Sequence, residues 1–85
     1  GIALAAACRL RDLGEPLPAC IVGLTPWLDG EQTGDAALES RGRDPFVSPL
    51  WIRARFRDYA GARGDLRDPL ISPLYANLAG LPPIY

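Results

Sequence analysis

Residues 1–24 read GIALAAACRLRDLGEPLPACIVGL, and the succession of patterns within them decides the fold class. From Ile2 to Cys8 every side chain is apolar. Polar residues (Arg9, Arg11, Asp12) gather only before Gly14 and Pro16, which stand where a C′ glycine and a helix stop belong. This is a helix with a marked end and no marked beginning. No Ser, Thr, Asp or Asn precedes Ile2 to cap the first free N–H groups. The expectation is that further chain precedes Gly1 and that protein surrounds the helix. After the rigid EPLP connector, residues 19–24 (ACIVGL) form a continuous apolar run without alternation, the pattern of a strand buried on both faces. A helix feeding such a strand through a short loop is the second half of a βαβ unit, so the expected context is a parallel sheet in an α/β protein.

Composition narrows the function classes. The chain has 85 residues, 48% hydrophobic and 22% charged, with a net charge of −1. That allows one small domain and argues against a nucleic-acid partner. All nine basic residues are Arg, which reads as the coding bias of a GC-rich, bacterial source. No apolar run reaches the ~18–20 residues of a membrane span. The first eight residues lack the charged flank and cleavage site of a signal peptide, so the expected location is cytoplasmic. There is no His, so these residues hold no base for a Ser-His-Asp or Cys-His site, and zinc loses its commonest nitrogen ligand. Cys8 and Cys20 lack C-x-x-C spacing and read as buried small hydrophobes, with a disulfide or reactive thiol as the alternative. No metal and no cofactor is expected, and nothing in the residues sets an oligomeric state.

Downstream of the strand, TPWLDG (25–30) leads into a polar stretch, residues 31–43, without either period. Ser48-Pro49 then supplies an N-cap and a first-turn proline. The helix expected over residues 49–59 carries Ile52, Phe56 and Tyr59 on one stripe, with Gly61 and Gly64 ending it. Ser72-Pro73 caps a further one- or two-turn helix closed by Gly80. LPPIY (81–85) reads as the lead-in to another strand. The excursion over residues 30–80 is far longer than a plain loop. At the carboxyl end of a parallel strand such a segment commonly builds a cap over a ligand site.

Five blocks in order now resemble one family. Ala-rich residues ending R-L-R-D (Arg9 to Asp12), the P-L-P connector, the strand and T-P-W-L-D loop, RDPFVSP (43–49) and DPLISPLYANLAGLPPIY (68–85) are together similar to the hormone-sensitive-lipase-like esterases of the α/β-hydrolase fold. The resemblance implies a fragment of a three-layer α/β sandwich: helix after the nucleophile elbow (1–13), parallel strand (19–24), cap-like helical excursion (30–80) and the start of the next strand (81–85). It also implies that the nucleophilic Ser and oxyanion-hole motif lie before Gly1, and the acid and His after Tyr85. No catalytic residue is therefore assigned here. The implied activity is serine carboxylic ester hydrolysis through an acyl-enzyme on a small-molecule ester, with these residues inactive alone. A non-catalytic α/β scaffold or interaction segment is the alternative. A nucleotide-binding βαβ unit is weaker, since no G-x-G-x-x-G or Walker pattern occurs.

The substrate-pocket candidates are Trp27, Leu28 and Trp51. Trp27 reads either as packing between excursion and sheet or as pocket wall. Trp51, Phe56 and Tyr59 read first as helix packing, with the pocket mouth as the alternative. Asp29, just past the strand, reads as structuring its own loop through Asx-type hydrogen bonds and not as the catalytic acid. Ser40 reads as a loop residue, and Ser48 and Ser72 as helix caps, because none sits in G-x-S-x-G. The arginines from Arg53 to Arg67, interrupted by Asp58 and Asp65, read as a solvated face.

Overall fold

The computed structural model describes residues 1–34, 43–62 and 64–85. The polar stretch 35–42, Ser40 with it, and Arg63 lie outside the described residues. Helix α1 spans Ile2–Asp12 and has no side-chain cap at Gly1. Its C-terminus closes in a Schellman arrangement: Gly14 takes φ 69°, its N–H donates to the Arg11 carbonyl at 3.0 Å, and the Glu15 N–H donates to the Leu10 carbonyl at 2.9 Å. A left-handed residue costs an L side chain steric strain, which Gly avoids. Arg11 then reaches across to the carbonyls of Asn77 and Ala79 (2.5 and 2.9 Å) and so fastens the end of α1 to the approach to the final strand.

The apolar run after the connector pairs in parallel with the C-terminal residues. Ile21 bridges Ile84. The Ile21 N–H donates to the Pro83 carbonyl (2.9 Å), the Tyr85 N–H to the Ile21 carbonyl (2.9 Å) and the Gly23 N–H to the Tyr85 carbonyl (2.8 Å). Within the expected strand, residues 19–24, the described pairing is this one parallel bridge with its three backbone bonds. Within these 85 residues Ile21 is buried, whereas Val22 and Leu24 are 63% and 87% exposed.

The core is small. Leu4 and Ala7 of α1 pack on Ile21, with Leu28 and Leu81 closing the cluster. Full burial of a Leu or Ile side chain is worth about 1.5–3 kcal/mol, and Leu4→Ala at this cluster would cost about 2–5 kcal/mol including the cavity. The all-apolar helix is covered on one side only, at Leu4, Ala5, Ala7 and Cys8, while Ile2 stays 69% exposed.

Helix α2 spans Pro49–Ala60. The Ser48 hydroxyl accepts from the Trp51 N–H and Gly61, at φ 75°, ends it. Of the stripe Ile52, Phe56 and Tyr59, Phe56 is buried and Tyr59 is exposed. A single 3₁₀ turn, Pro73–Tyr75, follows and ends at Ala76. Gly80 therefore closes a separate turn and not the helix expected there. No helix among the described residues is long and apolar enough to cross a membrane.

Candidate functional site

The N-terminal end of α1, the loop after Gly23 and one face of α2 enclose an open cleft of about 530 Å³. Gly1, Ile2, Thr25 and Trp27 line it from the sheet side, and Arg55, Phe56 and Tyr59 from α2. Its walls are mostly apolar and aromatic. The N-terminal end of α1 lies at one end of the cleft, and that end of a helix favours negative charge.

Gly1 permits this closeness. A Cβ there would sit 2.5 Å from the Trp27 carbonyl oxygen, so any larger residue would push the loop away from the helix. Thr25 takes φ 44°. A non-glycine residue in that region stores strain, and such residues cluster at ligand sites. No sequence signal marks it, because the Pro that follows biases its neighbour toward extended backbone.

Trp27 lines the cleft and meets two residues of α2. Its ring lies edge to face with Trp51 at 5.6 Å and tilted against Phe56 at 6.1 Å. Trp51 supports Trp27 from outside the cleft lining and carries the Arg55 guanidinium 5.9 Å from its ring centre. Arg55 also pairs with Asp58 at 2.8 Å. Leu28 goes elsewhere. It packs on the α1–Ile21 cluster and faces a second space, about 440 Å³, beside the paired strands. The structure therefore brings Trp27 and Trp51 together and separates Leu28 from them.

Asp29 organises the loop below Trp27. Its carboxylate accepts from the Glu31 N–H (2.9 Å), the Thr33 N–H (2.5 Å) and the Thr33 hydroxyl (2.9 Å). Partial burial pushes the carboxyl up, but the hydrogen bonds from Thr33, Glu31 and Gln32 outweigh it and hold Asp29 below the usual carboxylate range. Farther along, the Glu31 carboxylate accepts from Arg67 and from the Tyr75 hydroxyl, both at 2.9 Å. Those bonds raise the Tyr75 and Arg67 values.

Ser72 departs from its reading as a cap. Its hydroxyl makes no bond to its own 3₁₀ turn. It is fully buried, accepts from the Gly30 N–H at 2.8 Å and donates to the Leu66 carbonyl. The pairing was hidden because a Ser-Pro dipeptide carries a local capping signal and no mark of a partner distant in sequence. Cys8 is buried and Cys20 exposed, both as free thiols, so Cys20 is not the buried hydrophobe expected. Among the described residues no group of three or more His, Cys, Asp or Glu side chains could hold a metal ion.

A family model described as alpha/beta hydrolase fold matches residues 1–85. An acetyl-hydrolase of Streptomyces hygroscopicus is 38% identical over 84 residues, covering 99% of this chain and 28% of that protein. An esterase of Acinetobacter venetianus is 30% identical over 82 residues, covering 96% of this chain and 27% of that protein. Among solved structures, an esterase from the bacterial hormone-sensitive lipase family superposes with a TM-score of 0.86 at 43% identity, over 95% of this chain and 27% of that one. The chain thus spans little more than a quarter of these relatives' length.

Proposed function

The chain belongs to the α/β-hydrolase family, in its esterase/lipase-like branch related to hormone-sensitive lipase, and from that membership we propose that it is the acyl-pocket and cap segment of a longer serine carboxylic ester hydrolase. In this reading the nucleophilic Ser lies in an elbow immediately before Gly1, and the acid and His lie beyond Tyr85. The carrying observation is the cleft, which joins the first turn of α1 to an aromatic wall built by Trp27, Phe56 and Tyr59.

Each part has a physical role. A Ser at the head of α1 would attack the ester carbonyl as the His takes its proton; the ester C–O bond would then break, the His giving that proton to the departing alcohol, and water would hydrolyse the acyl-enzyme left behind. Negative charge on the carbonyl oxygen would develop near the N-terminal end of α1, the end of a helix that favours it. The apolar walls would exclude water and hold the acyl or alcohol chain. Trp27 is the proposed wall residue, Trp51 its support and Asp29 the tie of their loop. The 85 residues hold no His and, in this reading, do not include the nucleophile, so they are proposed to be inactive alone. A cytoplasmic location belongs to the same proposal.

A fluorophosphonate probe tests the assignment. It should label the longer protein on a Ser N-terminal to Gly1 and leave Ser48 and Ser72 untouched. Absence of any labelled Ser would favour the non-catalytic scaffold, and label on Ser72 would contradict the site described here.

A further inference from the structure

We infer that Ser72 is a positioning residue for ester-chain recognition, acting from behind the cleft wall by fixing the loop that carries Trp27. The inference rests on the ester-hydrolase reading above.

Two hydrogen bonds from one short segment bracket Asp29. The Leu74 N–H donates to the Leu28 carbonyl at 3.0 Å, and the Ser72 hydroxyl accepts from the Gly30 N–H at 2.8 Å. Ser72 is fully buried, and its hydroxyl is used as acceptor and donor at once, to Gly30 and to the Leu66 carbonyl. Its own backbone is held as well, with the Ser72 N–H on the Asp68 carbonyl at 2.7 Å. A hydroxyl in this position holds two backbone segments at one fixed separation. Alanine would leave the buried Gly30 N–H and the half-buried Leu66 carbonyl without this partner.

The linkage to Trp27 is by contact. A Cβ on Gly30 would lie 2.9 Å from the Ser72 oxygen and 3.1 Å from the Phe56 ring. Phe56 in turn packs on the Trp27 indole, with ring centres 6.1 Å apart. Ser72, Gly30, Phe56 and Trp27 thus form one packed row from the buried hydroxyl to the cleft surface. A loop loosened at Gly30 lets Phe56 and Trp27 shift together, and the depth available to a substrate chain changes with them. Ser72 touches no substrate, so its effect falls on which chain fits and not on bond-making.

The test is the ratio of kcat/KM for p-nitrophenyl hexanoate over p-nitrophenyl acetate, measured in the longer protein. Both esters are read on one preparation, so any inactive fraction cancels and a purely structural loss leaves the ratio alone. Ser72→Ala should change the ratio roughly three- to tenfold. Gly30→Ala, which presses on the same contact from the other side, should change it as well. In a Trp27→Ala background, Ser72→Ala should change the ratio less than it does in the native protein, because only the Phe56 part of its route to the substrate remains. Ser72→Cys, close in volume and a weak acceptor, should fall between Ser72→Ala and the native protein; if Ser72→Ala does not fold, Cys and Gly30→Ala decide. An unchanged ratio in an active enzyme overturns the role of Ser72. Failure of the native protein to turn over either ester overturns the underlying hydrolase reading instead.

Discussion

The Trp27 and Trp51 rings meet edge to face, 5.6 Å between centres, so the loop after the first paired strand and helix α2 share an aromatic contact at the cleft. Such pairs are worth about 0.5–1.5 kcal/mol beyond the area they bury. Trp51 is 49% exposed, so the contact, more than burial, is what its loss removes. Trp51→Ala in the longer protein should lower stability by roughly 1–2 kcal/mol, while Trp51→Phe should recover about half of that. Urea unfolding of the two variants checks this, and equal losses would show that the ring contact contributes nothing.

The 85 residues expressed alone should associate and should not melt cooperatively. Phe46, Leu24 and Leu50 are 93%, 87% and 78% exposed, and the α1–Ile21 cluster is the only multi-residue core among the described residues. Exposed apolar patches and a strand with a free edge promote self-association. Size-exclusion chromatography with light scattering, beside a thermal scan, decides the point. A monomer with a sharp transition would mean that this small core suffices.

Local chemistry was legible in the residues where one short segment settles its own structure. Gly14 ends α1 because the Schellman bonds need a left-handed residue, and the Ser48 hydroxyl caps α2 because the Trp51 N–H lies one turn on. The Asx loop at Asp29 is equally local. Long-range pairings were not legible. Nothing in a Ser-Pro dipeptide points to Gly30, and nothing in Arg11 points to the carbonyls of Asn77 and Ala79. Leu28 and Trp27 are adjacent and both large and apolar, yet they face different spaces.

Asp29 should make the protein acid-sensitive in a defined direction. Its carboxyl is held low by hydrogen bonds from Thr33 and Glu31 that outweigh the effect of partial burial. A group with a depressed folded value stabilises fully above its unfolded value and loses that contribution as the pH falls through the folded one. The loss therefore belongs below about pH 4. Asp29→Asn should flatten the acid limb of the stability–pH profile, and Asp29→Ala should cost about 1–2 kcal/mol at neutral pH. Denaturant melts between pH 2.5 and 7 test both, and an acid limb unchanged in Asp29→Asn would remove Asp29 from the account.

The most direct measurement compares native and Trp27→Ala forms of the longer protein on p-nitrophenyl esters from acetate to decanoate, with a melting curve beside each. Trp27 is 42% exposed and lines the cleft. As a wall it should shift the preferred chain length, with relative kcat/KM changing by about 1–3 kcal/mol per methylene accommodated or lost. As packing alone it should cost about 3–5 kcal/mol of stability and leave the chain-length profile untouched. The account predicts a shifted profile with a modest loss of Tm. An unchanged profile with a large loss of Tm would contradict it.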